Sequence, residues 1–218
     1  MKILDVPRSG SYQGITSSRN RYGQYVRTRA TPVNPASTFQ AAVRARMAMN
    51  AQNWRDLTGT QRDGWGSLGN EIVRNDSMGQ SYTLTGFQAY CLVNNNKLAA
   101  GDATVADPPI YLPPDPILTL TPTITSSSYS VAFTPTPLLT GERIFVSAGP
   151  IRSAGRTFEG DVRLMVVSAA AGTSPVNVLS AYQARFGNPI TGSRIFTAAQ
   201  RYLGGFLSTS IMTSTIVS

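Results

Sequence analysis

Between residues 37 and 99 apolar side chains recur at helical spacing, and beyond residue 117 they recur at alternate positions. Three helix starts are written into the first stretch. Ser37-Thr-Phe-Gln40, Thr58-Gly-Thr-Gln61 and Thr85-Gly-Phe-Gln88 each match the capping box, in which a hydroxyl accepts from the third amide and a glutamine reaches back. The first helix, about 37–55, lines up Phe39, Val43, Met47, Asn50 and Trp54 at steps of four and three, a stripe expected to be buried. The second, about 59–73, places Trp65, Leu68 and Ile72 on one face. Its Gly64, Gly66 and Gly69 each cost up to ~1 kcal/mol against alanine, so they mark either helix-packing contacts or a break. The third, about 86–99, carries Phe87, Tyr90, Cys91 and Asn94. Residues 74–84 read as a loop.

Before and after this stretch the period is two. In 1–36, Tyr25, Arg27 and Arg29 alternate with Val26, Thr28 and Ala30, the pattern of an extended strand, with turns expected at Gly14 and Gly23. Pro32 and Pro35 end it. Downstream, Ile117–Leu120, Tyr129–Thr134, Arg143–Ala148, Asp161–Ser168, Arg194–Tyr202 and Phe206–Val217 are rich in β-branched and aromatic residues and separated by Pro, Gly and Ser. A short helix over 176–186, closed by Gly187, interrupts them. Between the two regions, residues 100–116 hold five prolines from 108 to 116, which predicts a stiff polyproline-like linker.

The expected fold is therefore α+β. It comprises a basic extended N-terminal arm (1–36), a small helical domain (37–99), a Pro-rich linker (100–116) and a C-terminal antiparallel β-sandwich of fibronectin or immunoglobulin type (117–218).

Charge sharpens this picture. The chain of 218 residues has 19 basic and 11 acidic side chains. Eight of the basic groups stand in residues 1–50 against Asp5 alone. Such asymmetry points to a polyanion or an acidic protein surface as partner. All but Lys2 and Lys97 of the basic residues are arginine, whose planar fork pairs with phosphate or carboxylate and stacks on aromatic rings. The candidate partner- or nucleic-acid-binding residues are Arg19, Arg21, Tyr22, Tyr25, Arg27, Arg29, Arg44 and Arg46: arginines to track phosphates, tyrosines to stack on bases. The same residues serve equally as a basic strand docking on a neighbouring subunit. No helix-turn-helix, zinc finger, RRM or KH signature accompanies them.

The absence of histidine excludes Ser-His-Asp and Cys-His catalysis and HExxH zinc chemistry. One cysteine allows no intrachain disulfide, and Cys91 reads as a small core residue. Glu159 and Asp161 sit two apart, the spacing of a carboxylate pair sharing a strand face, but in a loop entering a strand, where solvated acids are expected. Asp56, Asp63, Glu71 and Asp76 beside Arg55, Arg62 and Arg74 read as surface ion pairs. Nucleotide fingerprints and metal-ligand spacings are missing, so no cofactor, no metal and no enzymatic activity are expected. Trp54 and Trp65 read as core anchors of the first helix against the second, with cation–π recognition the alternative. There is no apolar run long enough for a membrane span and no apolar leader at the N-terminus, so no membrane partner is expected.

Gly23–Arg44 (GQYVRTRATPVNPASTFQAAVR), Trp54–Trp65 (WRDLTGTQRDGW) and Leu84–Tyr90 (LTGFQAY) together resemble a family of uncharacterised proteins from bacterial and phage genomes. That family has a Gly/Arg-rich N-terminal hairpin, a Pro-x-Asn-Pro helix start, a helical middle and a fibronectin-like end. The resemblance covers about residues 14–96 and the remainder in outline. It implies a virion component and carries over no functional residues. The expected function is thus a structural part of a phage-like virion: a minor capsid, connector, decoration or tail-associated protein, made in the host bacterial cytoplasm. Its partners would be copies of itself, other virion proteins and packaged nucleic acid reached through the basic arm. The alternatives are a non-specific nucleic-acid-binding accessory protein and an adhesion or carbohydrate-binding module.

Overall fold

The computed structural model describes residues 9–20, 23–76 and 78–218. The chain divides into two compact units, 1–42 and 43–218. Its architecture is mixed α+β, with four helices and several antiparallel sheets among the described residues and no closed barrel.

In the first unit, β1 (Gly10–Tyr12), β2 (Ile15–Asn20) and β3 (Gly23–Thr28) form a three-stranded antiparallel sheet in that order. The stretch expected to run as one extended arm therefore folds back on itself. The turn expected at Gly14 joins β1 to β2, and β3 begins at Gly23, the other expected turn position. None of the described residues in this sheet is buried.

Helix α1 (Thr38–Asp56) starts one residue after Ser37, whose Oγ accepts from the Gln40 amide at 3.3 Å. The capping box is only half made, since the Gln40 Oε1 is buried without a partner among the described residues. The expected core stripe divides along its length. Asn50 is fully buried and Trp54 half-buried, whereas Phe39, Val43 and Met47 are 46%, 57% and 41% exposed. Helical spacing identifies one face of a helix but not the surface that covers it.

Helices α2 (Gly59–Glu71) and α3 (Gly86–Ala100) carry complete capping boxes at Thr58/Gln61 and Thr85/Gln88. Neither helix breaks at its glycines, and Gly64, Gly69 and Gly86 are close contacts. A Cβ on Gly86 would lie 2.9 Å from the Gly66 amide nitrogen, so the start of α3 sits on the backbone of α2. Trp65, Leu68, Ile72, Ala89, Tyr90, Cys91 and Val93 form the core between them. Where a loop is expected over 74–84, β4 (Val73–Asn75) and β5 (Ser81–Thr83) form a hairpin. Asp76 Oδ1 closes its turn by accepting from the Met78 and Gln80 amides, both at 2.8 Å.

The Pro-rich stretch has no regular structure and lies along the helices. Trp65 Nε1 donates to the Ala106 carbonyl at 2.7 Å, and the Asn94 side chain brackets Val105, accepting from its amide and donating to its carbonyl. The boundary expected at 100–116 falls inside the second compact unit.

Strands β6 (Thr119–Ile124), β7 (Tyr129–Thr134) and β10 (Val176–Asn177) form one antiparallel sheet in the order β10-β7-β6. Strands β8 (Arg143–Ala148), β9 (Arg163–Val167), β11 (Arg194–Leu203), β12 (Phe206–Leu207) and β13 (Ile211–Ile216) form another. β11 is its spine, paired with β8 on one side and with β12 and β13 on the other. Inward residues of both sheets, among them Leu120, Val131, Phe133, Ile144, Val146, Ile195 and Ala199, meet in one core with Tyr182 of α4 (Leu179–Phe186). β8 and β11 are buried on both faces, because Phe145 and Tyr202 stack on the opposite side beside Ala100 at the end of α3. Strands covered on both faces lose their polar alternation, which is why Ile144-Phe145-Val146 reads as a continuous apolar run.

Candidate functional site

Cross-strand partners share a sheet face, so the register sorts the N-terminal basic residues. Ser18 pairs with Tyr25 and Thr16 with Arg27, while Arg19 pairs with Gln24 and Ser17 with Val26. The Arg29 amide donates to the Gly14 carbonyl at 2.8 Å, which continues the same register by one residue. Tyr25, Arg27 and Arg29 therefore occupy one face. Arg19 occupies the other, with Val26, Ile15 and Tyr12. On that second face Tyr12 is 72% and Ile15 47% exposed. Arg44 and Arg46 stand on α1 in the second unit, Arg44 exposed and Arg46 half-buried. Arg21 and Tyr22 lie outside the described residues. The structure thus brings together three of the eight candidate residues and separates Arg19 from them.

The carboxylate pair is committed to the fold. Glu159 is buried, paired with Arg152 and lying 3.7 Å from Arg156, and its Oε1 accepts from the Asp161 amide at 2.9 Å. The Arg152 hydrogen bond, then that amide, hold the Glu159 carboxyl down at about 2. A carboxylate so held accepts no proton near neutrality and is a poor general base. Asp161 pairs instead with Arg163 at 2.7 Å.

The acids along the helices do not pair with their neighbouring arginines among the described residues. Arg62 instead donates to the carbonyls of Trp54 and Arg55 in the last turn of α1, at 3.3 and 2.8 Å, and lies 6.0 Å from the Trp54 ring. Trp54 and Trp65 meet through Tyr90 of α3, with ring centroids 5.4 and 5.1 Å from it. Cys91 is buried, and burial pushes its thiol up, away from the reactive thiolate.

Three features were not legible from the sequence. Glu142 and Arg201, both buried and 59 positions apart, form an ion pair in which Glu142 also accepts from the Leu139 amide. Asp102 accepts from Arg143 at 2.8 Å and from the Tyr202 hydroxyl at 2.6 Å, joining the turn that follows α3 to β8 and β11. Burial, then the Asp102 partner, raises the Tyr202 hydroxyl. The third feature is a pair of clefts beside the β4–β5 hairpin, of ≈ 450 and ≈ 710 Å³, with Arg74 and Leu92 in the wall of both. No sequence signal points to them, since Arg74 between Glu71 and Asp76 reads as one half of a surface ion pair.

No family model, no curated protein and no solved structure matches this chain.

Proposed function

We propose that this chain is a structural subunit of a phage-like virion, a minor capsid, connector, decoration or tail-associated protein that assembles through its basic N-terminal region. The observation that carries this reading is the β1–β3 sheet. It belongs to the smaller compact unit, 1–42, yet is a single layer whose apolar positions Tyr12 and Ile15 stand open to solvent. Such a small sheet gains independent stability only by covering its hydrophobic face. A subunit whose neighbour supplies that cover, and extra ladder bonds by strand addition, fits the pattern. Within the same reading, residues 117–218 are a sandwich of fibronectin or immunoglobulin type and residues 1–36 the assembly arm. The chain would act in the virion, without cofactor or catalysis.

A non-specific nucleic-acid-binding role is the second reading. It draws on Tyr25, Arg27 and Arg29 sharing one face, a stacking ring beside two phosphate-pairing forks.

The test is density-gradient fractionation of particles with mass spectrometry for the 23.3 kDa chain. The chain should co-migrate with particles, and deletion of residues 1–36 should abolish that association. Particles of normal composition from the deletion strain would remove the assembly role.

A further inference from the structure

The two clefts beside the β4–β5 hairpin adjoin each other. Met47, Tyr82, Phe87 and Cys91 floor the first, and Ile72, Tyr111, Phe206 and Leu207 floor the second. Each is within the ~300–1,000 Å³ typical of ligand pockets. Arg74 and Leu92 belong to both, so the arginine stands in the wall shared by a mainly apolar hollow and a second one whose apolar residues share the lining with Asn96, Gln200 and residues 208–210. No other charged residue lines either cleft, and Arg74 has no ion-pair partner among the described residues. The complementary ligand is a carboxylate with apolar side chains on both sides.

The chain contains that ligand in its own sequence. Among residues outside the described structure Asp5 is the one acidic side chain, and it stands between Ile3-Leu4 and Val6-Pro7. We propose that the double cleft is the seat for the Ile3–Val6 segment of a second copy of this chain. Asp5 pairs with Arg74, and the apolar residues before and after it fill the two hollows. The proposal rests on the assembly reading and gives it a specific joint, with the N-terminal segment of one subunit held on the helical face of the next. An apolar anchor bracketing a complementary charge gives both affinity and register.

Charge reversal tests this in trans. Full-length chain should self-associate with concentration in sedimentation velocity, and Asp5→Lys or Arg74→Glu alone should weaken that association by about tenfold or more. Mixing the two variants in equal amounts should restore it, because Asp5 of one copy then meets Arg74 of the other and the new Lys–Glu pair is also complementary. Arg74→Gln repeats the single-variant arm without a reversed charge. A peptide of residues 1–8 should compete with self-association, and its D5K form should not. A wild-type chain that stays monomeric at ~100 µM, or a mixture no more associated than either variant, overturns the proposal. The particle experiment is read separately: a particle-bound but solution-monomeric chain keeps the assembly role and loses this joint.

Discussion

Gly69 and Leu84 are joined twice: the Leu84 amide donates to the Gly69 carbonyl at 3.1 Å, and a Cβ on Gly69 would lie 2.4 Å from the Leu84 carbonyl oxygen. The strand-to-helix junction before α3 is thus pressed against the bare backbone of α2. Gly69→Ala forces these backbones apart, and overpacking of this kind costs ~1–3 kcal/mol, more than the up to ~1 kcal/mol of helix propensity it gains. Gly66→Ala adds its methyl to open space in the same helix. It should stabilise by up to ~1 kcal/mol. Urea denaturation of the two variants should move the midpoint in opposite directions, and equal shifts would mean that the close approach is not formed.

The two tryptophans should separate likewise. Trp65 is fully buried and its indole donates to Ala106. Its truncation to alanine should cost ~3–5 kcal/mol, the range for a buried aromatic. Trp54 is only half-buried, against Phe87 and Tyr90. Its truncation should cost roughly 1–3 kcal/mol. Fluorescence of the Trp54→Phe variant should be blue-shifted and protected from quencher, and that of Trp65→Phe redder and more accessible.

Local signals were legible and distant ones were not. The Thr58/Gln61 and Thr85/Gln88 boxes formed as written, because a cap involves residues three apart and depends little on what surrounds it. β7 and β8 fall on the expected residues because alternation with β-branched side chains is also local. The β4–β5 hairpin was missed because three-residue strands carry too few positions to show a period, although Asp76 followed by Gly79 marked its turn. Phe39, Val43 and Met47 show the opposite limit: an apolar stripe states that something covers it and leaves the cover unnamed. Glu142 and Arg201 show why a buried ion pair escapes notice, since each alone reads as an ordinary surface charge. Of the site candidates, the register united Tyr25, Arg27 and Arg29 as alternation implied, but the fold-back that put Arg19 on the opposite face depended on pairing.

Acid should release the Glu159–Arg152 clasp. The carboxyl sits at about 2 in the folded chain against an ordinary 4.5. A depressed folded value adds stability that is fully present above the ordinary value and is lost as pH falls from there towards 2. Glu159→Gln should therefore be less stable than wild type at pH 7, and the gap should close between about pH 4.5 and 2. Denaturant titrations across that window check it; a gap independent of pH would show that the pair contributes no charge-linked stability.

Tyr129 and Tyr182 lie edge to face in one core with unequal hydroxyls. The Tyr129 hydroxyl bonds Thr197 at 2.6 Å, and the Tyr182 hydroxyl is buried without a partner among the described residues. Tyr129→Phe strands the Thr197 hydroxyl and should cost ~1–3 kcal/mol. Tyr182→Phe removes an uncompensated polar atom and should be neutral or stabilising by up to ~1–3 kcal/mol. Burial pushes the Tyr182 hydroxyl up to about 12 from 10.0. The folded state therefore keeps a proton the unfolded state has lost, and stability falls as pH rises from about 10 towards 12. Tyr182→Phe should blunt that alkaline loss, and thermal melts of the variant and wild type at pH 8 and 11 read it directly.

Binding to nucleic acid is limited by the register of the N-terminal sheet. A duplex lying on one face of β1–β3 meets Arg27 and Arg29 but not Arg19. Two phosphate contacts release as many counterions, so the log–log salt slope should be roughly −2 on duplex DNA, at ~0.9 per contact. Contact by four to six arginines at once, which an extended arm would allow, gives roughly −3 to −5. Anisotropy titrations with a fluorescent duplex from low to physiological salt separate these values. Arg27→Gln should lower the slope by about one, and Arg19→Gln should leave it unchanged. A steep slope reduced equally by both substitutions would mean that the sheet opens on the polyanion, and a tight complex at physiological salt would raise the nucleic-acid reading above the assembly one.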